Sequence, residues 1–126
     1  MTVQIPARIL LVDDEAMIRL TLAALLQRRG YAVETATNGE EALSCLTKRR
    51  FDLLLIDLKL PGMNGLVVAQ HAHKSQPSVP ILFLTGSSDF NGMSVEEQVG
   101  YFDYILKTAS PEEVLERVRS AIVQYA

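Results

Sequence analysis

The chain has 126 residues, a length typical of one domain that buries roughly two-thirds of the surface of its unfolded chain. Its 12 basic and 15 acidic residues give a net charge of −3 without a basic block suited to a nucleic-acid backbone, and its one cysteine excludes an internal disulfide. No apolar run reaches the roughly eighteen residues of a membrane span, and the N-terminus lacks the pattern of a secretory signal. We therefore expect a cytoplasmic domain that contacts neither nucleic acid nor membrane.

The first half of the chain alternates short apolar runs with amphipathic segments. Residues 8–14 (RILLVDD) predict a strand that ends in acid, and residues 17–30 place apolar residues at helical spacing before a final glycine. Residues 31–36 (YAVETA) predict a weaker strand. The next helix begins at Asn38, with Glu41 three residues later in an approximate capping box.

The second half repeats this alternation. Residues 51–57 (FDLLLID) and 79–85 (VPILFLT) are continuous apolar runs, which are typical of strands covered by helices on both faces. Residues 65–76 between them predict the crossover helix. Residues 101–107 (YFDYILK) predict the last strand, and the segment 110–125 opens with serine and proline as a capped amphipathic helix.

Five strands and five helices in alternation predict an α/β fold. We expect a flavodoxin-like, doubly wound (βα)5 domain with a five-stranded parallel sheet of order 2-1-3-4-5. The fourth helix, within residues 87–100, is the weakest because Gly92 and polar residues interrupt it. We expect one domain over residues 1–126, ordered over about 7–125, without an output domain.

Chemically useful side chains stand at the ends of the predicted strands. Ligands of open parallel sheets bind beyond the carboxyl ends of the strands, where the strand order reverses. The second strand, expected at the sheet edge, ends without an ionisable residue. The other four strands end in Asp13 and Asp14, in Asp57, in Thr85 and in Lys107.

Three converging carboxylates repel one another unless a cation offsets their charge. Magnesium accepts one or two carboxylates together with a phosphate oxygen. A carboxylate can also act as a nucleophile and form an aspartyl phosphate, with cationic groups stabilising the transferred phosphoryl group. Asp57, held rigidly by an apolar strand, suits that role, and Lys107 can supply positive charge.

The ordered motifs VDDE, LLLIDLKLPGMNG, ILFLTG and DYILK resemble the receiver domain of two-component response regulators over nearly the whole chain. The resemblance implies that Asp57 is the phosphoacceptor and that Asp13 and Asp14 organise Mg²⁺, or Mn²⁺, with Asp57. It also implies that the backbone carbonyl of Lys59 completes the metal shell. The family's switch residues correspond to Thr85, Lys107 and Tyr104.

The same resemblance implies a signalling domain rather than an enzyme, one that assists its own phosphorylation and slow dephosphorylation. The expected phosphodonor is a histidine kinase or a phosphotransfer protein. The phosphorylated state would change the surface formed by the fourth helix, fifth strand and fifth helix, for binding of a downstream protein, an output domain or a second copy in a phosphorylation-dependent dimer.

Two residues depart from the family's pattern. Thr108 follows Lys107 where the family usually has proline in a cis peptide. Because a non-prolyl cis bond costs about 2.5–4 kcal/mol, we expect a trans bond and a differently shaped loop. Tyr101, where the family often has a small residue, adds bulk to the expected output surface.

Three alternatives follow from the same residues. A haloacid dehalogenase-type phosphohydrolase would need a second acid where this chain has Lys59, and a flavodoxin would need a hydroxyl-rich phosphate loop where it has Asp13 and Asp14. The third is a degenerate receiver that binds a partner without being phosphorylated. The missing proline and the weak fourth helix favour it, whereas the complete set of ionisable site residues argues against it.

Overall fold

The computed structural model describes residues 6–86 and 102–124. These residues form five strands and four helices. The strands are β1 (Arg8–Val12), β2 (Ala32–Ala36), β3 (Leu53–Asp57), β4 (Ile81–Thr85) and β5 (Phe102–Leu106). The helices are α1 (Ala16–Arg28), α2 (Gly39–Lys48), α3 (Gly65–Ser75) and α4 (Pro111–Gln124).

All strand pairs are parallel, and the sheet order is β2-β1-β3-β4-β5, which confirms the predicted fold class and strand order. Helix α4 is the fifth helix of the sequence prediction. The predicted fourth helix and Tyr101 lie outside the described residues. None of the helices in the described ranges combines the length and the apolar character needed to cross a bilayer.

The three central strands are buried on both faces, as their continuous apolar runs predict. Side chains alternate between the faces along a strand, so each strand supplies two cores. In β1, Leu10 and Val12 join the core beneath α2 and α3, whereas Ile9 and Leu11 join the core beneath α1 and α4. Strands β3 and β4 divide their residues in the same way. The carboxyl ends of these strands are consequently held by packing from both sides.

The helix ends follow the sequence signals, with one difference. The Asn38 side chain accepts a hydrogen bond from the Glu41 amide at 2.8 Å, and the Ser110 hydroxyl accepts one from the Glu113 amide at 3.2 Å. The Glu41 carboxylate, however, accepts from the Thr37 amide instead of completing the box at Asn38. Gly30 adopts a φ of 92° after α1, a left-handed conformation that favours glycine at a helix end.

Helix α3 begins against the end of β3, and this approach requires a glycine. The Gly65 amide donates to the Leu58 carbonyl oxygen at 3.0 Å. A Cβ added at Gly65 would overlap the backbone carbonyl oxygen of Asp57 and lie 3.0 Å from the Leu58 Cα. Since both obstacles are backbone atoms, a side-chain rotation cannot relieve the overlap. Gly65 thus fixes how closely α3 abuts the loop after Asp57.

We predict that Gly65→Ala lowers the free energy of unfolding by about 1–3 kcal/mol, the usual cost of overpacking a filled site. Gly86→Ala is the matched control, because a Cβ there meets nothing within 4 Å and Gly86 has no positive φ. We expect the control to change stability by less than about 0.5 kcal/mol. Urea denaturation of both variants measures the difference, and equal stabilities would show that the loop after β3 can move away from α3.

Candidate functional site

The carboxyl ends of β1, β3, β4 and β5 surround a polar pocket of about 400 Å³. Asp57 is the last residue of β3 and Thr85 is the last residue of β4, whereas Asp13 and Lys107 follow the ends of β1 and β5 directly. Strand β2 lies at the far edge of the sheet and ends at Ala36. The lining residues are Asp14, Glu15, Asp57, Leu58, Lys59, Thr85, Gly86 and Lys107.

Three carboxylates form the acidic side of the pocket. Asp13, Asp14 and Asp57 each offer an oxygen, and these oxygens lie within 4.8 Å of one another. Asp13 and Asp57 are buried, with exposed fractions of 0% and 4%, whereas Asp14 is exposed. The parallel sheet therefore brings acids from two adjacent strands together at a site of low solvent access.

A backbone amide two residues further along the chain orients each buried carboxylate. The Glu15 amide donates to Asp13 Oδ1 at 2.8 Å, and the Lys59 amide donates to Asp57 Oδ1 at 3.0 Å. Short Asx turns of this kind are common where an aspartate ends a strand. Each turn engages Oδ1 of its aspartate and leaves Oδ2 outside the turn.

Lys107 supplies the positive charge at the centre of these acids. Its Nζ donates to Asp57 Oδ2 at 2.9 Å and to Glu15 Oε1 at 2.9 Å, and lies 3.3 Å from Asp13 Oδ2. Burial by itself would lower the pKa of the Lys107 ammonium, but the hydrogen bonds with Glu15 and Asp57 and the charge of Asp13 raise that pKa well above its ordinary value. Lys107 therefore remains charged at any physiological pH.

Asp13 Oδ2 is the least satisfied atom of the site. It is buried and has no hydrogen-bond partner among the described residues, since the ammonium at 3.3 Å makes only an ion-pair contact. Burial raises the pKa of Asp13, and the charge of Asp57 adds to this effect. The Glu15 amide and Lys107 lower the pKa but do not cancel the rise. A buried anionic oxygen without a donor beside two further carboxylates fits a divalent cation that prefers oxygen ligands, such as Mg²⁺ or Mn²⁺.

The structure brings together nearly all of the residues that the sequence predicted for the site. Asp14, Asp57, Lys59, Thr85 and Lys107 line the pocket, and Asp13 lies within the acid cluster. Thr85 is 4% exposed, and its carbonyl accepts from the Lys107 amide at 2.7 Å. The metal-binding role of the Lys59 carbonyl remains a prediction, as does the trans bond before Thr108.

Tyr104 lies apart from the pocket that it was expected to serve. Its side chain is 45% exposed, and it is not among the pocket-lining residues. Its carbonyl accepts from Arg117 Nη1 at 3.0 Å, and Arg117 also pairs with Asp103 at 2.7 Å. Tyr104 thus contacts the last helix through its backbone, whereas its side chain is exposed and points away from the core that Ile105 joins beneath α4.

Glu15 is a site residue that our sequence analysis did not single out. It lies at the pocket mouth and bonds to Lys107, 92 residues further along the chain. The motif VDDE contains the signal, because a third consecutive acid after a strand is unusual for a simple helix cap. Its partner could not be inferred from spacing, since the contact depends on how β1 and β5 are placed in the sheet.

Comparison with known proteins identifies one family. The family model described as the response regulator receiver domain matches residues 9–119. Transcriptional regulatory protein ResD of Bacillus subtilis is 37% identical over 115 residues, which cover 91% of this chain and 48% of ResD. The chain thus spans about half the length of this curated relative.

Two solved structures resemble the chain closely. A CheY-like receiver domain protein from Methanospirillum hungatei has a TM-score of 0.87 at 31% identity, with 94% of this chain and 95% of that chain covered. Response regulator TrrA from Thermotoga maritima, solved in complex with Mg²⁺ and BeF, has a TM-score of 0.82 at 36% identity, with 91% and 98% covered. The likeness therefore extends to sequence as well as to fold.

The raised pKa of Asp13 predicts how this residue affects stability. Because the folded chain binds the Asp13 proton more tightly than the unfolded chain does, the ionised carboxylate opposes folding at neutral pH. Without divalent cations, Asp13→Asn should therefore raise the melting temperature at pH 7. This gain should shrink as the pH falls from above the folded-state pKa of Asp13 to below the ordinary aspartate pKa of 3.8.

Thermal unfolding of the wild type and the variant over this pH range, with chelator and then with excess Mg²⁺, measures the effect. Excess Mg²⁺ should stabilise the wild type more than the variant, because a ligand stabilises the state that binds it. A lower melting temperature for Asp13→Asn in chelator would contradict the conclusion that the ionised Asp13 carboxylate opposes folding.

Proposed function

The chain belongs to the response regulator receiver domain family, and on that premise we propose that Asp57 accepts a phosphoryl group from a histidine kinase or phosphotransfer protein. The proposal includes a requirement for Mg²⁺ or Mn²⁺. It treats residues 1–126 as one receiver domain that acts in the cytoplasm. The domain would signal by changing its surface rather than by turning over a substrate.

The observation that carries this proposal is the environment of the Asp57 carboxylate. It ends a strand that is buried along its whole length, its Oδ1 is fixed by the Lys59 amide, and its Oδ2 lies 2.9 Å from the Lys107 ammonium. A nucleophile held in one orientation beside a permanent cation has the two properties that phosphoryl transfer needs, positioning and charge stabilisation.

The residues around Asp57 would bind the divalent cation and contact the phosphoryl oxygens. Asp13, Asp14, Asp57 and the Lys59 carbonyl would hold the divalent cation, which when bound neutralises charge on the phosphoryl oxygens. Lys107 would move its contact from Asp57 Oδ2 to a phosphoryl oxygen as the new O–P bond replaces the N–P bond of the donor. The Thr85 hydroxyl would contact a second phosphoryl oxygen, since Thr85 lines the same pocket.

The response to phosphorylation would pass along β4 and β5. Thr85 pairs with Leu106 across these strands, and Lys107 follows Leu106 directly. A shift of Thr85 and Lys107 toward a phosphoryl group would therefore displace the end of β5, where Tyr104 stands outward. We propose that Tyr104 turns inward in the phosphorylated state and alters the surface for a downstream protein, an output domain or a second copy of the chain.

The pocket residues weigh against two of the rival functions. Lys59 lines the pocket where a phosphohydrolase of the haloacid dehalogenase type would need its second acid. The acid cluster at the end of β1 would repel the phosphate of a flavin. A test for a phosphoryl adduct distinguishes a degenerate receiver from one that is phosphorylated.

We predict one phosphoryl adduct on the wild-type chain after incubation with Mg²⁺ and a small phosphodonor such as acetyl phosphate. Asp57→Asn removes the nucleophilic oxygen but keeps the size of the side chain, so the adduct should vanish. Asp52→Asn is the matched control, because Asp52 is an equally buried aspartate at the opposite end of β3. Intact-mass spectrometry measures all three chains with and without chelator.

An adduct on the wild type that needs the cation and survives in Asp52→Asn would support phosphorylation at Asp57. No wild-type adduct, even with an added histidine kinase, would support the degenerate receiver. An adduct that persists in Asp57→Asn would place the phosphoryl group elsewhere.

We also predict that Thr85→Ala separates phosphorylation from its response. The variant keeps Asp57, Lys107 and the acid cluster, so its adduct should form within about tenfold of the wild-type rate. Without the hydroxyl, the phosphoryl group has one fewer contact with which to displace β5. Amide chemical shifts of residues 102–107 should therefore change less on phosphorylation than they do in the wild type. Equal chemical-shift changes in both chains would show that Thr85 does not transmit the response to phosphorylation.

A further inference from the structure

Glu15 occupies a helix-capping position that its side chain does not use. It directly precedes α1 with extended backbone angles, φ −85° and ψ 114°, and its side chain makes no capping hydrogen bond. The first turn of α1 contains no acidic residue. An acid at a helix start normally faces the free amides there. Instead, the Glu15 carboxylate binds the ammonium of Lys107 at 2.9 Å.

Glu15 is also the outermost of the three acids around that ammonium. Its side chain is 57% exposed, compared with 6% for Asp57 and 0% for Asp13. The ammonium has three N–H donors, and it hydrogen-bonds Glu15 on the solvent side and Asp57 on the inner side. The third carboxylate, Asp13, remains at 3.3 Å.

Loss of the Glu15 contact would leave the ammonium with inner acids only. Asp13 Oδ2 is buried and has no hydrogen bond, and Nζ already lies 3.3 Å from it, so a small shift of the ammonium would be enough to form one. That oxygen belongs to the acid cluster that fits a divalent cation. An ammonium bonded there would compete with the cation for the same ligand.

We propose that Glu15 is a positioning residue that holds the Lys107 ammonium between Glu15 and Asp57 and so keeps Asp13 Oδ2 available to a divalent cation. This inference rests on the proposed function only in its assumption that the acid cluster binds Mg²⁺. Glu15 acts through Lys107 and does not itself contact the metal. Asp13, Asp14 and Asp57 would then hold the metal, while Glu15 and Asp57 hold the ammonium.

The proposal predicts whether each substitution weakens or strengthens Mg²⁺ binding. Glu15→Gln releases the ammonium inward and should weaken Mg²⁺ binding about three- to fivefold, the upper range for an exposed ion pair. Lys107→Met removes the competing ammonium and should strengthen Mg²⁺ binding. With Lys107→Met already present, Glu15→Gln should change the Mg²⁺ Kd by less than about twofold, because no ammonium remains to be held.

Isothermal titration of Mg²⁺ into the wild type, both single variants and the double variant measures this cycle. Glu116→Gln is the matched control, because Glu116 is an exposed glutamate whose 2.8 Å pair with Arg119 lies on α4, away from the pocket. It should leave the Mg²⁺ Kd unchanged. Glu15→Asp keeps the charge but shortens the side chain by one methylene, so it should weaken Mg²⁺ binding as Glu15→Gln does.

A second readout needs no metal. In chelator, Glu15→Gln should shift the carboxyl ¹³C resonance of Asp13, because its Oδ2 gains a hydrogen bond, whereas Glu116→Gln should not. If Glu15→Gln weakens Mg²⁺ binding equally with and without Lys107, the proposal is overturned. Glu15 would then act on the metal only through its charge. If Lys107→Met fails to fold, wild-type affinity in Glu15→Asp together with an unmoved Asp13 resonance would overturn it.

These outcomes are distinct from a failure of the proposed function. A wild-type chain that binds no Mg²⁺ and forms no adduct would refute the phosphorylation mechanism itself. A wild type that binds Mg²⁺ and is phosphorylated, with an additive cycle, would refute only the role of Glu15.

Discussion

The contact of the Lys107 ammonium with three carboxylates is the interaction on which the whole site depends. Asp13, Glu15 and Asp57 belong to segments at the ends of β1 and β3, and Lys107 follows β5. Without a cation among them, these acids would repel one another at a site of low solvent access, and their protonated forms would be favoured. Lys107 offsets part of this repulsion through its contacts with all three carboxylates. The pKa of Asp13 is nevertheless raised, chiefly by burial and to a smaller degree by the charge of Asp57. A divalent cation bound by the acid cluster would offset the remaining negative charge.

The fold makes this arrangement possible by fixing the strand ends. Alternating side chains of β1, β3 and β4 fill separate cores above and below the sheet, so the strands can neither slide nor rotate without cost. Gly65 lets α3 abut the loop after Asp57, and the Glu15 and Lys59 amides set the orientation of the two buried carboxylates. Under the proposed function, this packing would hold Asp57 in place while the surface near Tyr104, on the more exposed strand β5, changes on phosphorylation.

Family membership places this chain among signalling domains, while the departures from the family's pattern are its own. Thr108 takes the position where the family usually has proline, yet the Lys107 amide still bonds the Thr85 carbonyl and the Ala109 amide still bonds the Leu106 carbonyl. These two hydrogen bonds hold the loop after β5 without help from a proline ring. The additional bond to Glu15 holds the lysine side chain itself. The lysine is therefore anchored through its backbone and its ammonium.

The fold class and the acids that meet could be predicted from the sequence alone, because continuous apolar runs with acidic ends indicate buried strands whose carboxyl ends share one edge of a parallel sheet. The strand order was predicted from the flavodoxin-like fold that this alternation indicates. The individual pairings are visible only in the folded chain. That Glu15 bonds Lys107, that Asp13 Oδ2 is left without a donor and that Tyr104 faces outward depends on ångström-scale distances between residues far apart in the chain. Spacing along the sequence carries no information about such distances. They arise when the packed sheet fixes every strand end relative to the others.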